Sequence, residues 1–185
     1  MPLLKIVGPD EAAGETEQIY QSFIDTVGVI PPSLLMASTS PGIQALQAQI
    51  SAYYRDRSGL SPLLMALIRY LTALALEMEQ CIEFNARSLK LHGMTDEQVA
   101  HLRENPACAP LAEKEGWLLA FVIKALRAPE TVSEGHVNKL RQLGWADKDI
   151  FDALYVSCMM AGMDRMMKAL KFEVPPEGAT GRRSD

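Results

Sequence analysis

The fourteen residues from Leu63 to Leu76 are apolar nearly all round, interrupted only by Arg69 and Thr72. A helix with no polar face must be buried on several sides, so this run predicts the central helix of a helical fold. It is too short, and with Arg69 too polar, to span a bilayer. Ser61-Pro62 supplies a capping hydroxyl followed by a proline at the first helical position, and Gly93 is a suitable left-handed terminator. These signals predict one long helix from Ser61-Pro62 to Gly93, passing through Cys81.

The rest of the chain is punctuated in the same way, and no run alternates long enough to argue for strands. An acidic helix is expected over Pro9 to Val27, with Ile19, Phe23 and Ile24 facing a core and Pro31-Pro32 preventing continuation. A short turn of helix follows over Ser33 to Ala37. Ser40-Pro41 opens another helix, marked on one face by Ile43, Leu46, Ile50 and Tyr53 or Tyr54. Thr95-Asp96-Glu97-Gln98 has the form of a capping box for a helix ending near Asn105-Pro106, with a loop from Asn105 to Pro110. Trp117, Leu118, Phe121, Val122 and Leu126 mark a helix that Pro129 stops. Thr131 and Ser133 can cap a short helix ending near Gly144. Asp147 can cap the last, where Phe151, Leu154, Tyr155, Cys158, Met159, Gly162, Met163, Met166 and Leu170 recur at helical spacing. The expectation is an all-α fold of roughly six to eight helices in a single domain over 1–172, with a disordered tail over 173–185.

Composition narrows the function. With 48% hydrophobic and 22% charged residues in 185, the chain has the makeup of a globular domain. Its net charge of -5 comes from acids and bases mixed along the chain, which leaves no basic stripe for nucleic acid. Cys81, Cys108 and Cys158 are too few and too widely spaced for a disulfide framework or a zinc site, so a reducing, cytoplasmic setting is expected. Nothing at the N-terminus reads as a signal peptide.

Two junctions are alike. Gly93-Met94-Thr95-Asp96-Glu97-Gln98-Val99 and Gly144-Trp145-Ala146-Asp147-Lys148-Asp149-Ile150 each pair a glycine with a large apolar residue, a capping site and an acid-rich first turn. Any two helix junctions could share this pattern, and it is also the signature of a family. Taken with the long apolar helix, a cysteine twelve residues before a glycine and Asp164-Arg165 in the last helix, the chain resembles the alkylhydroperoxidase D-like (AhpD-like) and carboxymuconolactone decarboxylase superfamily over roughly Ile43 to Phe172. That resemblance implies an AhpD-like helical domain that assembles as a homo-oligomer, an expectation the apolar, Met-rich last helix supports. In the redox-active branch the pattern is C-x-x-C-x-x-x-H, with a glutamate near the start of the same helix. Aligned on Gly93, the second cysteine is Cys81, while Met78, Asn85 and Ala66 stand where the first cysteine, the histidine and the glutamate would be. The decarboxylase branch has a glutamate at the position of Cys81 and a histidine at that of Asn85.

Paired thiols reduce peroxide because one attacks and the other resolves the sulfenic acid as a disulfide. Met78 cannot resolve, and Asn85 has no titrating group near neutral pH. What remains on a continuous helix is the stripe Glu77, Cys81, Asn85 at i, i+4 and i+8, with Met78 and Ser88 near the same face. Glu77 could accept a proton, although its charge opposes a thiolate unless Arg69 or Arg87 compensates. Cys81 is therefore either a reactive thiol or a small buried hydrophobe. Arg69, an expensive cation in so apolar a run, is expected to pair with a carboxylate from another helix, Asp164 being the first choice.

Met159, Met160, Met163, Met166 and Met167 read as core or interface rather than copper or haem ligands. His92, His101 and His136 lack the spacing of a metal site and read as solvated or capping residues. No metal or cofactor is called for, and no membrane partner. Three functions stay open. The first is a single-cysteine peroxidase or thiol oxidoreductase of peroxiredoxin type centred on Cys81, taking a peroxide substrate and a thiol reductant, with Cys158 or Cys108 as candidate resolving thiols. The second is a catalytically inactive ligand-binding or scaffold oligomer, and the third a carboxymuconolactone decarboxylase-like enzyme.

Overall fold

The computed structural model describes residues 2–173, and for Gln80 its backbone alone. The expectation of a disordered tail falls on residues outside these, apart from Glu173. Among the described residues there are nine α-helices and no strand. They divide into two compact units, Met1–Arg57 with Met163–Asp185, and Ser58–Gly162.

In the first unit the acidic N-terminal helix is interrupted. Pro9–Glu11 forms a 3-10 turn, Gly14 adopts φ +63°, and only then does α1 (Glu15–Val27) begin. The backbone conformation at Gly14 is one that glycine reaches without a Cβ penalty, so the helix cannot run through it. α2 (Pro32–Ala37) and α3 (Pro41–Asp56) follow. Tyr20, Ile30, Leu34, Leu35, Met36, Met167 and Phe172 form the core, with Ile19, Phe23 and Ile24 packed against it as their spacing predicts.

The face of α3 differs from expectation. Ile43 and Leu46 are exposed, while Gln44 and Tyr54 are buried. The amide of Gln44 is satisfied inside: its Oε1 accepts from Thr16 Oγ1 at 2.9 Å and its Nε2 donates to the Leu34 carbonyl at 3.2 Å. A polar group with both partners supplied is stable in a core, and counting apolar residues misses it. Ser40 stands at the N-cap without a side-chain capping bond. The N-terminal segment is tied down by Val7 N–H donating to Ser38 Oγ, Tyr20 Oη donating to the Val7 carbonyl and Thr39 Oγ1 donating to the Lys5 carbonyl.

The second unit is built on α4 (Pro62–Ala75), which packs against α5 (Glu79–Leu91) and α7 (Glu113–Arg127). Ser61 caps α4, its Oγ accepting from Leu64 N–H, and Leu64, Leu67, Ile68, Tyr70 and Ala73 are fully buried. Each large apolar side chain so placed stabilises the unit by roughly 1.5–3 kcal/mol. α6 (Asp96–Glu104) carries the predicted capping box, Gln98 N–H to Thr95 Oγ1 and Thr95 N–H to Gln98 Oε1. Within the expected loop, Pro106–Cys108 makes a 3-10 turn.

α8 (Glu134–Gln142) is capped by Ser133, whose backbone N–H donates to His136 Nδ1, while Thr131 lies in a preceding 3-10 turn. α9 (Asp147–Ala169) is the longest helix, its residues 147–162 belonging to this unit and the rest to the first. Asp147 is its first residue rather than its cap. Its carboxylate takes two bonds from Arg141, which hold its pKa below the ordinary carboxylate range. Asp149 receives the Ala146 N–H instead. On α9 the inward face is Asp152, Ala153, Val156 and Ser157, whereas Phe151, Tyr155 and Cys158 are exposed. Ser157 earns its burial through a bond accepted from Thr72 Oγ1 at 3.0 Å, which draws the small-residue face of α9 inward.

The single long helix expected from Ser61-Pro62 to Gly93 is two helices, α4 and α5. α4 ends in a Schellman motif: Met78 N–H bonds to the Ala73 carbonyl, Glu77 N–H bonds to the Leu74 carbonyl, and Glu77 adopts φ +52°. The same pair of bonds closes α5 at Gly93-Met94 and α8 at Gly144-Trp145, with φ near +90° at both glycines. In each case the next residue, Met78, Met94 or Trp145, turns its apolar side chain inward. This is the physical content of the Gly-Met and Gly-Trp similarity. Glu77-Met78 is a further copy that the sequence hides, because its left-handed residue is not glycine, and so is Lys171-Phe172, which ends α9 with the same two bonds and a buried Phe172. No helix among the described residues is long and apolar enough to cross a membrane.

Candidate functional site

The break at Glu77 rearranges the expected stripe. Glu77 lies off the helix, in the turn between α4 and α5, and is exposed. Met78 is the N-cap of α5 and 1% exposed, held there as the apolar partner of the Schellman turn. Cys81 is the third residue of α5 and partly buried. Asn85, 5% exposed, lies one turn further on and donates from Nδ2 to the Cys81 carbonyl at 2.8 Å. Cys81 and Asn85 thus share a helical face, and Glu77 lies outside it, in the turn that precedes α5. Ala66, where the resemblance implied a glutamate, is buried in α4.

The chemistry open to this arrangement follows from its position. The first turn of a helix presents N–H groups that lack intrahelical acceptors and favours negative charge, and a cysteine there is better placed to act as thiolate than one in mid-helix. Glu77, four residues before Cys81, keeps a left-handed conformation (φ +52°) that costs a non-glycine residue about 1–2 kcal/mol. Lys171 is the other non-glycine residue at positive φ, in the turn that ends α9.

The other candidates lie in settled surroundings. Asp164, proposed as the partner of Arg69, is engaged by Lys168 on its own helix at 2.9 Å. Arg69 is partly buried and Arg87 exposed. His136 is spent in the Ser133 cap. Met163 Sδ accepts from Gln47 Nε2, Met167 is buried and Met166 exposed. Among the described residues no group of three or more His, Cys, Asp and Glu side chains could hold a metal ion. The turn at Glu77 is the feature that residue counting missed; its one signal was the apolar Met78 following a charged residue, as Met94 and Trp145 follow their glycines.

These elements define an all-α AhpD-like fold. Among solved structures the chain is similar to an alkylhydroperoxidase AhpD core, an uncharacterized peroxidase-related protein from Ralstonia eutropha JMP134, with a TM-score of 0.78 and 18% identity over 95% of this chain and 93% of that one. It is also similar to an uncharacterized peroxidase-related protein from Silicibacter sp. TM1040, with a TM-score of 0.75 and 22% identity over the same shares of the two chains. The sequence matches no family model and no curated protein.

Proposed function

We propose that this chain is a single-cysteine thiol oxidoreductase of peroxidase type, with Cys81 as its nucleophile. The observation that carries the reading is the placement of Cys81 in the first turn of α5, four residues after a left-handed Glu77, in a fold shared with peroxidase-related proteins. The Cys81 thiolate attacks one peroxide oxygen and the O–O bond breaks. Sulfur is oxidised to a sulfenic acid, and the departing oxygen leaves as alcohol or water after taking the proton released by the thiol, with the Glu77 carboxylate in the preceding turn as its carrier. With Met78 in place of a second cysteine, an external thiol attacks the sulfenic acid and releases water. A second equivalent of thiol then reduces the mixed disulfide. Asn85 fixes the carbonyl of Cys81 and so positions the thiol without exchanging protons. We read the chain as a homo-oligomer working in a reducing, cytoplasmic setting.

The test is trapping of sulfenic acid after a peroxide pulse, with Cys81→Ser as control. Modification of wild type alone supports the reading; a folded wild type that stays unmodified overturns it.

A second reading is favoured by Met78 and Asn85. Both positions have structural occupations, Met78 as the buried contact of a turn and Asn85 as a backbone tie, as expected of a ligand-binding or scaffold protein that kept the fold and lost the relay. Ligand-induced thermal stabilisation that is unchanged by Cys81→Ser would support it.

A further inference from the structure

Away from Cys81, α7 and α8 enclose a groove of about 490 Å³, within the usual range for small-molecule sites. Its floor is Phe121 and Leu140, both buried, and Ala120 leaves the middle of the α7 side open. One wall is Trp117, which is 46% exposed although a tryptophan gains most from burial. Lys139 places its Nζ over that indole, 5.3 Å from the ring centroid, and Lys124 lines the groove from the same face of α7 as Trp117, two turns on. None of the nine lining residues carries a carboxylate. The groove therefore combines an apolar bed, an open aromatic wall and two amines with no acid between them.

We propose that this groove binds a small amphipathic anion, an alkyl or aryl carboxylate. Its apolar body would cover Trp117, Ala120 and Phe121, and its carboxylate would take Lys124 and Lys139. Charge complementarity selects the anion: an uncharged apolar ligand would leave both ammonium groups at the edge of a drier site, and a cation would be repelled by them. The overall charge of -5 disfavours such ligands elsewhere on the chain and makes this local reversal of sign a selective feature.

The probe is decanoate, below its micellar concentration, titrated into the full chain by calorimetry and by tryptophan emission. Decanol serves as the uncharged arm, and circular dichroism checks the fold of each variant. Saturable binding of one decanoate per chain is expected, with decanol weaker. Loss of either amine, in Lys124→Glu or Lys139→Glu, should weaken decanoate by about fivefold or more. Trp117→Ala should weaken it roughly tenfold. Ala120→Leu, which fills the groove from an exposed position, should abolish binding. Absence of saturable binding to wild type overturns the proposal, as does equal binding of decanol, or binding that Ala120→Leu leaves unchanged in a folded chain. The decanoate and decanol comparison on wild type stands even where a variant fails to fold.

Discussion

Asn85 donates from Nδ2 to the carbonyl of Cys81 at 2.8 Å, so its amide is tied to the backbone of the cysteine one turn earlier. Removing the donor in Asn85→Ala should cost about 1 kcal/mol. Asn85→Asp keeps the shape and sets a carboxylate against the carbonyl in a nearly dry position, so it should cost roughly 3 kcal/mol at neutral pH. It should recover part of that on acidification, when the protonated carboxyl can donate. Urea unfolding at two pH values measures both, and equal stability of the two variants at pH 7 would show that the tie carries no weight.

Glu77 occupies a turn position that glycine fills at Gly93 and Gly144. Glu77→Gly removes the left-handed penalty and should raise unfolding stability by about 1 kcal/mol, whereas Glu77→Ala should not. If the carboxylate serves Cys81, the more stable Glu77→Gly chain should form sulfenic acid more slowly. Stabilisation with an unchanged rate of oxidation would separate Glu77 from the chemistry.

Thr72 and Ser157 join α4 to α9 by a hydroxyl pair buried from solvent. Ser157→Ala strands the Thr72 hydroxyl and should cost about 1–3 kcal/mol. Adding Thr72→Val to that variant removes the stranded group and should restore part of the loss. A double-mutant cycle in urea reads a coupling of about 1 kcal/mol; additive losses would mean that the pair is not coupled.

Burial raises the pKa of the Tyr20 phenol above its ordinary value near 10, outweighing the opposing hydrogen bonds of Ser38 and Gln44. The folded chain keeps this proton where the unfolded chain has lost it. The associated stability is whole below the unfolded pKa and is lost as pH rises from there through the folded value. Tyr20→Phe should lower stability at pH 7 by about 1 kcal/mol, through the lost bond to the Val7 carbonyl, and should flatten the decline above pH 10. Parallel alkaline slopes for the two chains would rule out Tyr20 as the source.

Helix content, the buried run in α4, the Thr95 box and the Pro129 stop are local properties. Capping hydroxyls and missing proline donors act within a few residues, so the Ser61 and Thr95 caps and the Pro129 stop were legible in the chain and hold in the fold. The resemblance also pointed to Cys81, and to Met78, Asn85 and Ala66 as the positions where it implied a second cysteine, a histidine and a glutamate. Tertiary structure decided the rest. It turned Gln44 inward and left Ile43 and Leu46 outside, because Thr16 and the Leu34 carbonyl satisfy an amide that composition counts as polar. It drew Ala153 and Ser157 of α9 inward and left Phe151 and Tyr155 in solvent. It also broke the central helix at Glu77. Nothing in a residue's identity forces a glutamate into the left-handed region; the buried seat of Met78 and the bonds to Ala73 and Leu74 outweigh the local cost, and those contacts exist only once the helices have packed.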